Sequence, residues 1–167
     1  MDPYSYFDAI DYFKRMSSAN RLAVEHKFKF CTCSGIETLQ EPLDEFRTTS
    51  AFFCVDDTND GAMFRGKNGG WYKKRTFTVF LMYRHEFNNM PERAERLDVC
   101  RRLFNQVVSK LIVDADDLSN DLVYLDTGNI LSREFGQYVL NGCTGLYFMI
   151  DVTEPVNLEY DSEQWMS

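Results

Sequence analysis

The sequence predicts a single α+β domain in which a mainly antiparallel sheet with one long hairpin is covered by one long amphipathic helix. In residues 71–87, β-branched and aromatic residues dominate, and one face is shared by Phe77, Val79, Leu81 and Tyr83, as in a half-buried strand. In residues 91–113, apolar residues recur three and four positions apart, with charged residues largely opposite. Because the two segments follow each other directly, we expect this helix to pack on the sheet.

A second helix is predicted at the N-terminus. Asp2 suits a capping position and Pro3 suits the first helical position. Apolar residues then follow on one face, namely Tyr6, Phe7, Ile10, Phe13 and Met16. We expect this helix to lie near the sheet.

Other segments predict the remaining strands. Residues 27–33 and 48–55 are typical of strands, and the connection between them is interrupted by Pro42. Residues 62–67 form a hairpin with the long strand, because the intervening Asn68-Gly69 favours a tight turn. Residues 143–152 predict a final strand that is apolar enough to be central in the sheet.

The chain between the long helix and the final strand is predicted to be mostly loop. Residues 114–121 are interpreted as an acidic loop and residues 122–125 as a short strand, while residues 130–138 fit either a helix or a strand. Periodicity is lost after Thr153. We therefore expect one domain over residues 1–153 and an acidic C-terminal tail over residues 154–167.

Composition and charge argue against several classes of protein. A chain of 167 residues that is 44% hydrophobic and 15% aromatic is expected to fold around a core. Its net charge of −8 argues against nonspecific binding to nucleic acid, which depends on clustered Lys and Arg. No stretch approaches the roughly 20 apolar residues of a membrane span, and the start lacks the features of a signal peptide. We expect a cytoplasmic protein with no membrane or nucleic-acid partner.

The residues that could carry chemistry do not form a recognisable site. Residues 56–61 resemble the start of a calcium loop, but Lys67 stands at the twelfth position where a bidentate Glu is needed. Neither His26 nor His85 has a nucleophile at a known spacing. The cysteines are predicted to be reduced core thiols, namely Cys31, Cys33, Cys54, Cys100 and Cys143. We therefore predict no catalytic, cofactor-binding or metal-binding residue, and no enzymatic activity.

Charge distribution suggests a surface for self-association. Cations crowd the hairpin, namely Arg65, Lys67, Lys73, Lys74 and Arg75, and anions crowd a later segment, including Asp114, Asp116 and Asp117. Complementary patches suit a head-to-tail interface that closes into a ring. The alternative is two solvated loops or an attraction within one chain. Trp165 either anchors a partner or folds back onto its own domain.

The order of elements resembles that of small tailed-phage morphogenesis proteins of the tail-terminator kind, which are similar to the minor tail protein U. The segments that carry the resemblance are residues 48–55, the strand 75–87 that passes directly into the helix 91–113, and residues 145–152. The resemblance implies a non-enzymatic structural protein that assembles as a homo-oligomeric ring, caps the tail tube and contacts other tail or head-tail proteins. It also implies a cytoplasmic location during assembly and a place in the virion afterwards.

A different class of protein also fits the predicted elements. In small-molecule pocket proteins of the cystatin-like or NTF2-like kind, a curved sheet wraps a long helix and encloses an apolar cavity. Such a protein acts as a ligand sensor or an isomerase, and it needs buried polar groups that converge on the cavity. A ring-forming protein needs exposed complementary patches instead.

Overall fold

The computed structural model describes residues 6–136 and 142–167. Within these residues the strands are β1 (Phe28–Cys33), β2 (Ala51–Asp56), β3 (Asp60–Arg65), β4 (Trp71–Arg84), β5 (Tyr124–Leu125), β6 (Ser132–Glu134) and β7 (Cys143–Pro155). The helices are α1 (Ala9–Ala19), α2 (Arg21–Glu25), α3 (Gln40–Glu45) and α4 (Met90–Asn120). All of these strands join one sheet in the order β1-β2-β4-β7-β5, with β3 also paired to β4 and β6 to β7. The predicted α+β class is confirmed.

The N-terminal helix begins later than the sequence suggested. α1 starts at Ala9, and the Asp8 carboxylate caps it by accepting a hydrogen bond from the N–H of Asp11 at 3.0 Å. Residues 6–8 therefore precede the helix, and the predicted start at Asp2-Pro3 lies outside the described residues. Asp8 offers the same capping chemistry as Asp2, so capping chemistry alone did not identify the correct start.

The pairing of β1 with β2 is parallel, whereas the other pairings in the sheet are antiparallel. Parallel neighbours need a crossover that returns the chain to the starting edge of the sheet. The chain from Gly35 to Phe46, which the sequence suggested was a simple connection, makes this crossover and contains α3. Leu39 and Leu43 in this segment are buried in a cluster that also contains Phe52 of β2. The crossover thus covers the second face of the sheet.

The other face of the sheet carries α4, as predicted. The apolar residues of β4 that share one face pack in a cluster with α4 side chains, including Leu103, Val107 and Leu111. Asn89 caps the helix by accepting a hydrogen bond from the Glu92 N–H at 3.1 Å, and Pro91 lies in the first turn. This apolar layer is continuous with buried residues of α1, so α1 and α4 cover the same face.

The acidic loop predicted over residues 114–121 is wrong, because α4 continues to Asn120. Leu111 is buried and Leu118 packs against the same core, so the helix keeps an apolar contact beyond the predicted end. Asp114 also pairs with Lys110 one turn earlier, at 2.6 Å. A pair with this spacing stabilises a helix, which offsets the low helix propensity of the aspartates.

β7 is central in the sheet, as its apolar sequence predicted, and it extends to Pro155. It pairs with β4 along one side and with β5 and β6 along the other. β5 lies within the predicted strand 122–125, and β6 shows that part of the ambiguous segment 130–138 is a strand. The last residues of that segment lie outside the described part of the chain.

The five cysteines are free and buried, as the sequence predicted. Burial raises the pKa of the Cys143 thiol to about 12, and it also raises the pKa of Cys100. The pKa of Cys54 is raised by hydrogen bonding to Cys31 and Cys33, and by burial. These shifts keep the thiols of Cys54, Cys100 and Cys143 protonated at neutral pH, and a protonated thiol is a poor nucleophile. Among the described helices, none combines the length and apolar character needed to cross a bilayer.

Gly145 in β7 gives a direct test of the sheet, because its backbone approaches β4 too closely for any side chain. A Cβ at this position would lie 1.9 Å from the carbonyl oxygen of Leu81, and the φ of Gly145 is +144°. We expect Gly145→Ala to lower the free energy of unfolding by more than about 3 kcal/mol, since it adds a clash to a strained backbone conformation.

Thermal and urea unfolding would measure this effect. Gly128→Ala is the matched control, because a Cβ there would make only an ordinary contact of 3.5 Å with Asp126 Oδ1. A Gly145→Ala protein as stable as the control would contradict the described packing of β7 on β4.

Candidate subunit interface

The hairpin formed by β3, the turn and the first residues of β4 is named the hairpin arm (residues 60–76). Each residue of β3 is exposed, and in the described part of the chain β3 pairs with β4 alone. Large apolar side chains are exposed here, including Met63 at 52%, with Phe64 and Trp71. The arm therefore presents a free strand edge and apolar surface to solvent.

The tip of the arm, residues 66–70, has a defined conformation. The Gly66 N–H donates to the Gly70 carbonyl at 2.7 Å, and the Gly69 N–H donates to the Gly66 carbonyl at 2.9 Å. Gly69 has a φ of +87°, which favours glycine. Asn68 accepts from the Gly70 N–H and donates to the Tyr72 hydroxyl. The predicted hairpin is confirmed, but its first strand is residues 60–65, where the sequence suggested 62–67, and a five-residue loop replaces the tight turn predicted at Asn68-Gly69.

The cations predicted for the interface differ in their availability. Arg65 and Lys67 are exposed at the end of the arm, where Arg65 Nε also donates to the Gly69 carbonyl at 3.2 Å. Lys73 lies over the ring of Tyr6, with Nζ 5.0 Å from the ring centroid. Lys74 forms a 3.7 Å ion pair with Asp151 on the neighbouring strand. Arg65 and Lys67 are therefore the cations best placed to meet another molecule.

Arg75, the fifth predicted cation, forms a buried ion pair with Glu154 of β7. The side chains of Arg75 and Glu154 are only 13% and 6% exposed. Arg75 also donates to the Phe7 carbonyl at 2.9 Å, and Glu154 accepts from the Phe7 N–H at 2.8 Å. The pair thus fixes the chain that leads into α1. Glu154, which the sequence assigned to the acidic tail, belongs to the folded domain.

The predicted anions lie in the C-terminal half of α4. Asp116 and Asp117 are exposed, whereas Asp114 is half-buried. Asp114 accepts hydrogen bonds from the Tyr12 hydroxyl at 2.7 Å and from Lys110 Nζ at 2.6 Å. Burial, followed by the hydrogen bond to Asp114, raises the pKa of Tyr12 above its usual value. Asp114 therefore joins α1 to α4, and Asp116 and Asp117 remain available at the surface.

The hairpin arm and the acidic end of α4 lie at the same end of the sheet. Tyr124 of β5, just after α4, pairs with Thr153 of β7, and Thr153 pairs with Lys74 of β4. Two strand spacings separate β5 from β4, so Tyr124 lies about 10 Å from Lys74 at the base of the arm. The long helix runs back along the sheet and brings together charges that are distant in sequence.

The chain after β7, residues 156–167, is named the C-terminal segment and begins at this same end. The Val156 N–H donates to the Trp71 carbonyl at 3.0 Å. Beyond it, Tyr160 and Trp165 are 72% and 68% exposed and stack on each other at 6.3 Å. Trp165 therefore stacks on Tyr160 of its own chain, but most of its surface faces solvent. It remains exposed enough to contact a partner.

The sequence patterns missed the apolar part of this surface. Met63 and Phe64 are adjacent, so their side chains lie on opposite faces of β3, and a helix covering one face can bury only one of them. That adjacency in a short hairpin strand is a signal of exposure. In the C-terminal segment the acidic charge and Trp165 stand out from the sequence, and they draw attention away from the alternation of Leu158 and Tyr160 with Glu159 and Asp161.

The side chains considered for metal binding or catalysis in the sequence make local contacts within the fold. The Asp56 carboxylate accepts hydrogen bonds from the Gly35 N–H and from the N–H and hydroxyl of Thr58, which fixes the connection to β3. His26 Nδ1 lies 3.0 Å from the Tyr83 hydroxyl, and His85 Nδ1 lies 2.9 Å from the Glu86 carbonyl oxygen. Among the described residues, no three His, Cys, Asp or Glu side chains are grouped to hold a metal ion.

An open groove of about 790 Å³ lies between α1, α2 and α4. Its lining mixes apolar side chains such as Leu22, Val107 and Val113 with polar ones such as Asn20 and Arg21. The groove lies on the helical side of the molecule. Met16 and Val107 in its lining also belong to the packed core, so the groove adjoins the layer between α4 and the sheet.

Comparisons with known proteins were made for the whole sequence. No protein-family model matches it, and no curated protein matches it either. A function for this end of the sheet therefore has to rest on the charges, exposures and contacts of its own residues.

The buried pair of Arg75 and Glu154 should contribute far more to stability than the exposed pair beside it. We expect Arg75→Met to lower the free energy of unfolding by about 3 kcal/mol, because Glu154 would remain buried without its charge partner. Lys74→Met removes the partly exposed pair with Asp151 and should cost about 1 kcal/mol or less. Urea unfolding would measure both values, and equal losses would show that the Arg75 pair is not buried as described.

The contact between Tyr12 and Asp114 should be visible at alkaline pH. The folded pKa of Tyr12 lies above the unfolded value of about 10, so the unfolded chain loses this proton first and stability falls as pH rises above that value. We expect Tyr12→Phe to cost about 1 kcal/mol at pH 7 and to flatten the decline above pH 10. The measurement is urea unfolding between pH 7 and 11.

Tyr160→Phe is the control for this experiment, because it removes an exposed hydroxyl. It should keep both the wild-type stability at pH 7 and the wild-type decline at alkaline pH. A Tyr12→Phe protein with the same alkaline decline as Tyr160→Phe would contradict the assignment.

Proposed function

We propose that the protein is a non-enzymatic structural subunit of a phage or prophage tail, which assembles as a ring that terminates the tail tube or joins head and tail. The observation that carries this proposal is the hairpin arm, which presents a free strand edge, exposed apolar side chains and two unburied cations. Exposed apolar residues grouped with charges are typical of protein-protein contact surfaces. The proposed partners are other copies of the chain, followed by other tail or head-tail proteins.

The charges at the arm end of the sheet favour self-association. Arg65 and Lys67 are exposed on the arm, while Asp116 and Asp117 are exposed on α4 at the same end of the sheet. The C-terminal segment adds exposed acidic residues there, including Glu159 and Asp161. Each subunit therefore carries both signs of charge, and contacts between neighbours can repeat until a ring closes.

The fold is also compatible with the tail-terminator resemblance. That resemblance implies a long strand leading directly into a long helix, and β4 is followed by α4 in the described structure. It further implies a closing strand, a position taken by β7. The order of β4, α4 and β7 supports the proposal, but it does not indicate which tail or head-tail protein the subunit would contact. In this proposal the protein is made in the cytoplasm and becomes part of the virion.

A pocket protein of the cystatin-like or NTF2-like kind is a weaker candidate. It would need a cavity between the long helix and the sheet. Leu103, Val107 and Leu111 of α4 fill that position and pack against the sheet. The groove of about 790 Å³ is open and is lined by residues of α1, α2 and α4, with no residue of the described sheet. The ring proposal is therefore preferred.

Size-exclusion chromatography with light scattering, followed by negative-stain electron microscopy, would test the ring. The expected result is one oligomer of fixed mass, seen as closed rings of uniform diameter. A protein that remains monomeric at high concentration would contradict the proposal. A dimer without rings would contradict it as well, since two subunits cannot surround a tail tube.

Charge reversal at the end of the arm should weaken the oligomer. We expect the double variant Arg65→Glu and Lys67→Glu to raise the concentration needed for assembly about tenfold at low salt, and less at high salt because exposed charges are screened. The matched control reverses two exposed cations outside the arm, Lys14→Glu and Arg21→Glu. Equal effects of the two double variants would show that only net charge matters.

A further inference from the structure

We infer that the C-terminal segment of one subunit adds as a strand to the free edge of β3 in a neighbouring copy of the chain. This inference rests on the self-association proposed above, and it names the contact that joins neighbouring subunits. It is carried by three observations: the free edge of β3, the two-faced pattern of the arm, and the matching pattern of the C-terminal segment.

The first observation is the edge itself. In the described part of the chain, β3 forms its ladder with β4 on one side only. The opposite side of β3 therefore presents backbone N–H and C=O groups to a strand from another chain. Addition of an extended segment to such an edge is a common mode of peptide recognition, in which the backbone supplies affinity and the side chains supply specificity.

The second observation is that the two faces of β3 differ in character. Residues paired directly across β3 and β4 share a face. One face carries Ala62 and Phe64, opposite Lys74 and Tyr72, and the rings of Phe64 and Tyr72 stack at 5.7 Å. The other face carries Met63 and Arg65, opposite Lys73 and Trp71. On β3 itself, an added strand would thus meet Ala62 and Phe64 on one face and the cation Arg65, beside Met63, on the other.

The third observation is the sequence of the C-terminal segment. Leu158 and Tyr160 alternate with Glu159 and Asp161, so an extended conformation places apolar and acidic side chains on opposite faces. In an antiparallel orientation with Tyr160 opposite Ala62, Leu158 lies opposite Phe64, and Glu159 lies opposite Met63 within diagonal reach of Arg65. A shift by one residue would move both acids to the face of Phe64 and Tyr72, so the alternation favours this register.

The C-terminal segment is available for such a contact. Leu158, Tyr160 and Trp165 are exposed large apolar side chains. The Glu159 N–H donates to the Asn157 side chain at 2.9 Å, a local hydrogen bond that strand addition would replace. Electrostatic attraction adds to the apolar contact, because the segment carries the acids Glu159 and Asp161 and the arm carries the cation Arg65.

Distance favours a neighbouring copy over the same chain. Val156 lies beside Trp71 of β4, and the free side of β3 lies about 14 Å away across three strand spacings. Leu158 is only two residues further along and can reach about 7 Å. The same chain therefore cannot place Leu158 on its own β3. If fully extended, residues 156–167 would span about 35 Å, which is enough to reach the arm of an adjacent subunit.

Disulfide trapping would test the contact in the full-length chain. Ala62→Cys and Tyr160→Cys are made in separate preparations, one with a mass tag, and are mixed under mild oxidation. The native cysteines are buried and should contribute little background. We expect a mixed cross-linked species to form at least about fivefold faster than with Met63→Cys, whose side chain lies on the other face of β3.

Charge exchange gives an independent measurement. Glu159→Arg and Arg65→Glu should each raise the concentration needed for association about tenfold at low salt, and the protein carrying both changes should return close to wild type. Glu25→Arg, which reverses an exposed acid on α2, is the matched control. Rescue by the double variant requires that the two residues meet, so a general loss of stability cannot produce it.

The outcomes separate this inference from the ring proposal. Rings that form without the mixed cross-link or the charge rescue would overturn the strand contact and leave the ring proposal standing. A dimer that shows both results would support the strand contact and overturn the ring. A protein that remains monomeric and forms no mixed cross-link would overturn both.

Discussion

The antiparallel pairing of β4 with β7 is the constraint on which the rest of the structure depends. It runs from the Tyr72–Pro155 pair to the Arg84–Cys143 pair and includes Gly145, where the two backbones meet without a side chain between them. One face of this ladder buries the apolar side of α4. The Tyr72–Pro155 end of the ladder supports both the hairpin arm and the start of the C-terminal segment. Any change that weakens this ladder would therefore affect the core and the proposed interface together.

The buried ion pair between Arg75 and Glu154 links stability to the position of the N-terminal chain. An apolar pair of similar volume could stabilise the sheet as well, so stability alone does not explain a buried charge pair. Here both side chains also hydrogen-bond the backbone of Phe7, and the Arg75 guanidinium lies over the rings of Tyr6 and Phe77. The pair thus determines where the chain enters α1, close to the base of the hairpin arm.

Much of the fold followed from periodicity, because β4, α4 and β7 are long and have clear apolar faces. The local signals were less reliable: the capping chemistry at Asp2 is repeated at Asp8, and the aspartates after Val113 suggested a loop although Leu111 and Leu118 hold them in the helix. The candidate interface was only partly predictable. Charge located the cations, but sequence could not show that Arg75 pairs with Glu154 across the sheet, since they lie 79 positions apart.

The unpaired edge of β3 has a consequence for the subunit before it assembles. Met63 and Phe64 are exposed on opposite faces of β3, and its free edge can pair with an extended segment of any chain. A newly made subunit is therefore at risk of aggregation. The edge is short, it ends in Arg65, and the chain as a whole has a net charge of −8, which makes subunits repel one another. Solubility and assembly thus place opposite demands on the same six residues of β3.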